Sequence, residues 1–187
     1  MSSNVLFLIV VYYSRIKLTI SETIGQSIGA FILWGFLMAF LYTLVSKINK
    51  KDKGTIQLAF IMMTSYFLSA FLDYETVTLI DWATYDVLTI GVIIVWGVLI
   101  KKPKPIAFMY LIVGLSINAC LFFAMYYDIY VLEQTEVWWL WTLYAIGINV
   151  VDLLMVLVLI INKDFLGLVW VCNQVKARYM HRANALK

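Results

Sequence analysis

Five stretches of this chain run for roughly the thickness of a lipid bilayer with almost no charge inside them, and nothing else in the sequence limits the fold as severely. A hydrocarbon core about 30 Å thick requires ~20 apolar residues in a helix, with a range of about 17–25. The runs extend from Ile24 to Leu44, Thr55 to Leu72, Trp82 to Ile100, Ile106 to Tyr127 and Val137 to Ile161. The third reaches spanning length only with Asp86 inside it. Unpaired backbone groups are too costly in lipid, so each run must be helical. A transmembrane barrel would alternate apolar and polar residues, whereas these runs are continuous. The expected fold is all-α: a polytopic integral membrane protein of about five transmembrane helices over residues 1–163, followed by an amphipathic tail over residues 164–187.

Composition closes off the other classes. Hydrophobic residues make up 64% of the 187 and charged residues 13%. A soluble domain averages about 45–50% and about 25%. Those values exclude a water-soluble globular enzyme, a disordered chain, a collagenous repeat and a disulfide scaffold. No polar stretch is long enough to hold a soluble domain.

The N-terminal run Val5–Val11 is too short to span before Arg15 and Lys17 interrupt it. It lacks the preceding positive charge and following small-residue cleavage site of a secretory signal. It reads as a short interfacial or partly inserted segment, with a further helix carrying snorkelling Arg15 and Lys17 as the alternative.

Orientation follows from Lys and Arg. They fall in the segment Lys47–Lys53, in Lys101–Lys104 and in the tail, at Lys163, Lys176, Arg178, Arg182 and Lys187. The intervening loops carry Asp73, Glu75 and Asp81, then Asp128, Glu133 and Glu136, with no basic residue. By the positive-inside rule the basic loops and the C-terminus are cytoplasmic. Arg15 and Lys17 are the misfit. Tyr127, Tyr130, Trp138, Trp139 and Trp141 crowd the opposite interface, with Trp82 and Tyr85 at the outer end of the third run, and read as headgroup anchors.

Asp152 is the residue that most invites chemistry. It lies near the middle of the fifth run, where an ionised carboxylate costs at least ~2.5–3.5 kcal/mol. No Lys or Arg lies at similar depth, which leaves protonation, a bound cation or hydrogen bonds from a polar cavity. Asn149 stands one turn earlier on the same face, and Asn118 lies near the middle of the fourth run. If those helices are neighbours, Asn118, Asn149 and Asp152 form one intramembrane polar cluster. The cluster is either a proton or cation site or a neutral knot that holds helices together. Asp86 is a secondary acidic candidate, nearer the outer end and able to reach water there.

Gly25 and Gly29 form a small-xxx-small pair, an intramolecular seam or an oligomer contact. The tail places Phe165, Leu168 and Val169 at helical spacing, with Lys176, Arg178 and Arg182 at other positions. Such a helix lies on an anionic leaflet or docks a cytosolic protein. No catalytic set can be built. The one His is His181 in the tail, and nothing resembles a phosphate loop or metal site, so no cofactor and no metal are expected. An aspartyl intramembrane protease would need Asp86 and Asp152 together, and they are predicted at different depths.

In size and layout the chain resembles KwaA, the small membrane subunit of Kiwa-type bacterial phage-defence pairs, an architectural resemblance over the whole length. The resemblance implies a membrane homo-oligomer that holds a cytosolic, DNA-binding KwaB-like partner and responds to infection; it transfers no functional residue. The expected function is thus a non-enzymatic inner-membrane protein that oligomerises and anchors or signals to a cytosolic partner. The competing readings are an ion channel or cation-coupled transporter using Asp152, and a holin-like membrane-perturbing protein.

Overall fold

The computed structural model describes residues 27–47, 49, 53–71, 78–100, 103–133, 138–170, 174 and 178. The expectations for Val5–Val11, Arg15, Lys17, Gly25, Lys176, His181 and Arg182 concern positions outside these residues. The described residues hold helices and no strand. In chain order the helices are α1 (Ser27–Lys47), α2 (Gly54–Ser69), α3 (Leu79–Leu99), α4 (Ile106–Tyr126) and α5 (Trp139–Ile161). Four of them, counting α4 together with the π-helical turn Tyr127–Val131 that continues it, are long and apolar enough to cross a membrane. The exception is α2, whose 16 residues extend about 24 Å at 1.5 Å per residue, short of the bilayer core.

Local chemistry accounts for the boundaries, including those that depart from the apolar runs. Helix α3 begins at Leu79 rather than Trp82, because Asp81 belongs to its first turn and not to the loop. The Asp81 Oδ2 accepts the Thr78 backbone N–H at 2.8 Å and the Thr78 hydroxyl at 2.7 Å. Those bonds satisfy groups that a helix start otherwise leaves bare, and the carboxylate faces the positive end of the helix dipole. Pro105 immediately precedes α4, where its missing N–H forfeits nothing. Asn162 takes the left-handed conformation (φ 51°) that ends α5.

Helix α4 is the centre of the bundle and packs on both α3 and α5. Close approach depends on glycine. A Cβ on Gly97 of α3 would stand 2.6 Å from the Phe108 ring of α4, and one on Gly114 of α4 would stand 2.6 Å from the Met155 sulfur of α5. Gly35 brings α1 to within contact of Val156. Gly29 has nothing within 4 Å of such a Cβ, so within this chain the seam runs through Gly35 and not through Gly29.

The two halves of the bundle differ in content. Phe36, Leu58, Met62, Ile93, Leu111, Leu115, Met155 and Leu159 form a continuous buried core toward the ends that carry Lys47, Lys53, Lys104 and Lys163. The opposite half contains a cavity. All five helices line it, α1 near its start, α2 near its end, α3 near its start, α4 from its middle to its end and α5 from Tyr144 to Asp152. The helices therefore alternate in direction, and the four lysines share one end of the bundle while Asp81, Asp128 and Glu133 share the other.

Candidate functional site: the intramembrane cavity

The cavity measures about 790 Å³ and reaches from the middle of the bundle to the acidic end. Asp152 is in its wall, 5% exposed. Two side chains hold it. The Tyr66 hydroxyl of α2 donates to Asp152 Oδ1 at 2.6 Å, and Asn118 Nδ2 of α4 donates to the same oxygen at 2.7 Å. Both bonds are made where water is scarce, so each restores part of the hydration that the carboxylate gave up. Asn118 itself is 1% exposed, and its Oδ1 is buried without a partner.

Asn149 lines the same cavity without bonding Asp152; its Nδ2 donates back to the Ala145 carbonyl at 2.6 Å. Ser116 is likewise satisfied within its own helix, on the Ile112 carbonyl. Thr142 is exposed.

Asp86, nearer the outer end, is partly exposed. It lines the cavity together with Asp152, and its Oδ2 is buried with no hydrogen-bond partner. From the basic ends of their helices, Asp86 lies about 20 Å up and Asp152 about 14 Å up, at 1.5 Å per residue, so Asp86 is the nearer to the acidic end while both line one cavity. Among the described residues no Lys or Arg lines the cavity. Nor, among them, do three His, Cys, Asp or Glu side chains converge in a way that could hold a metal ion.

Tyr66 is the residue that sequence reasoning missed. One tyrosine among 12 is no signal, but Ser65, Tyr66 and Ser69 make a polar patch near the end of an otherwise apolar run. Its ring rests on Phe36 of α1 at 4.2 Å between centroids. The neighbouring Ser65 and Thr89 hydroxyls are 2.8 Å apart, and the Tyr85 hydroxyl donates to the Ser65 carbonyl at 2.8 Å, which fixes α2 against α3.

Near the acidic end, Asp128 is 2% exposed, because the indole N–H groups of Trp138 and Trp141 donate to its Oδ2 at 2.9 and 3.1 Å. Those two rings tie the start of α5 to the continuation of α4. Trp139 is 63% exposed.

At the basic end the root of the tail is pinned. The Tyr110 hydroxyl donates to Asp164 Oδ1 at 2.5 Å and accepts the Leu166 backbone N–H at 2.7 Å. The bond from Tyr110 holds the Asp164 carboxyl below its ordinary pKa. Leu168 and Val169 pack against the core, whereas Phe165, Leu166, Trp170 and Arg178 are exposed. Cys120 is a free, exposed thiol on α4.

The fold and the cavity define an all-α membrane protein with a chamber that holds two carboxyl groups in one half and a packed apolar core in the other. Comparison with protein-family models, with curated proteins and with solved structures finds no match.

Proposed function

We propose that this is a non-enzymatic, multi-pass inner-membrane protein whose working part is a cation site in the cavity, and that it acts as an ion channel or a proton- or cation-coupled transporter. The observation that carries this reading is Asp152, nearly buried, fixed by Tyr66 and Asn118, and sharing a cavity with Asp86 where, among the described residues, no basic side chain balances either charge. Intramembrane acids that face a cavity mark ion and proton routes. Asp81 and Glu133, at the same end of the bundle, raise the local concentration of cations there. A cation that enters exchanges water for the two carboxylates. The packed core around Phe36, Leu115 and Met155 blocks its passage to the basic end until the helices rearrange.

The experiment is flux into proteoliposomes, with proton, sodium and potassium gradients imposed one at a time. Wild-type protein carries a cation current that Asp152→Asn abolishes. Equal flux through both proteins overturns the reading.

A second reading has its own support. With its root pinned by Tyr110, the tail leaves Phe165, Leu166 and Trp170 exposed, a surface suited to the membrane or to a cytosolic partner. This favours a homo-oligomeric membrane anchor, as in a Kiwa-type defence pair with a KwaB-like partner. Capture of a partner that is lost on truncation after Lys163 supports it; a tail-independent complex counts against it. Both readings place the basic ends in the cytoplasm, which reporter fusions after Asn49 and after Glu133 test by falling on opposite sides.

A further inference from the structure

The cavity also specifies what kind of cation it takes. We infer that its ligand is a protonated organic amine with an apolar or aromatic body, bound with its ammonium group between Asp86, Asp152 and Asn118. This rests on the reading of the cavity as a cation site.

Three observations separate such a ligand from a bare metal ion. The first is size: about 790 Å³ falls within the roughly 300–1,000 Å³ of small-molecule sites, far more than a dehydrated alkali ion fills. The second is donor demand. Asp86 and Asn118 both line the cavity, and the Oδ2 of the one and the Oδ1 of the other are acceptors buried beside it without a partner. A buried acceptor left unpaired is costly, and an ammonium group supplies up to three N–H donors together with the charge that two carboxylates lack. The third is the remaining wall. Trp82, Tyr85, Phe122, Tyr130 and Tyr144 line it, and aromatic faces attract ammonium groups and cover apolar bodies. An alkali ion requires a shell of oxygens instead, and the Trp82 and Phe122 rings provide none.

The test uses the full chain in lipid nanodiscs, with empty nanodiscs as the blank. The titrants are 2-phenylethylammonium, tetraethylammonium, potassium and the neutral 2-phenylethanol, followed by calorimetry. Phenylethylammonium is expected to bind at least about tenfold more tightly than the other three, since it alone brings both charge and N–H donors. Asp86→Asn is expected to weaken it roughly tenfold. That variant keeps the bundle intact, because the Asp86 Oδ2 it alters holds no hydrogen bond, and circular dichroism confirms the helices. Potassium or tetraethylammonium binding as tightly as the amine, with loss in Asp86→Asn, overturns the amine assignment and leaves a cation site. Phenylethanol binding as tightly as the amine, or no binding by any cation to well-folded protein, overturns both.

Discussion

The Tyr66 hydroxyl meets Asp152 Oδ1 at 2.6 Å, a bond that reaches from α2 to α5 across the cavity wall. The same oxygen takes Asn118 Nδ2 from α4, so one carboxylate joins three helices. Interhelical polar bonds in membranes are individually modest, about 0.6–2 kcal/mol. They set the rotation and register of helices that lipid alone does not distinguish. Here they hold an acid in one position at the wall of a chamber.

Tyr66→Phe removes the donor and keeps the ring on Phe36. The expected loss is about 1–2 kcal/mol of bundle stability, read from denaturant unfolding in mixed micelles. Cation flux should fall in the same variant, since Asp152 loses one of its two supports. Unchanged stability and flux would show the bond to be incidental.

The glycines should rank by what their added methyl would strike. Gly97→Ala meets the Phe108 ring at 2.6 Å, a rigid neighbour, and is expected to cost about 1–3 kcal/mol. Gly114→Ala meets the Met155 sulfur at 2.6 Å and Val151 at 3.3 Å, the one in the packed core and the other against it, and is expected to cost a similar amount. Gly29→Ala meets nothing and should be neutral or stabilising by about 0.5–1 kcal/mol through helix propensity. Thermal unfolding of the three variants checks the order; a destabilising Gly29→Ala would point to a contact between copies of the chain.

Asp128→Leu strands two indole N–H groups that now share one carboxylate oxygen. A loss of about 1–3 kcal/mol is expected, with a shift in tryptophan emission as Trp138 and Trp141 change surroundings. An unaltered spectrum would mean that those bonds do not hold in the membrane.

Docking of the tail root should weaken in acid. Asp164 has its pKa lowered by the hydrogen bond from Tyr110, so its folded value lies below the unfolded one. Its contribution is fully present above the ordinary carboxylate pKa of about 3.9 and is lost as pH falls through the folded value. Limited proteolysis after Lys163 should therefore accelerate at low pH. Tyr110→Phe should show faster cleavage at neutral pH and a flatter pH profile.

Run length and charge placement settle the class of this protein, because the cost of putting a backbone group or a lysine into hydrocarbon is local and large. The apolar runs coincide in order with α1 to α5, and Asp152 is conspicuous from its position in the fifth run alone. What could not be read there is who its neighbours are. Helices in lipid have no hydrophobic drive to present one face rather than another, so rotation and pairing come from glycine contacts and a few polar bonds between residues far apart in the chain. The packing brings Tyr66 and Asn118 onto Asp152, turns Asn149 back on its own helix, draws Asp86 into the same chamber, and replaces Gly29 with Gly35 at the seam. Those outcomes depend on all five helices at once, and no single run of residues encodes them.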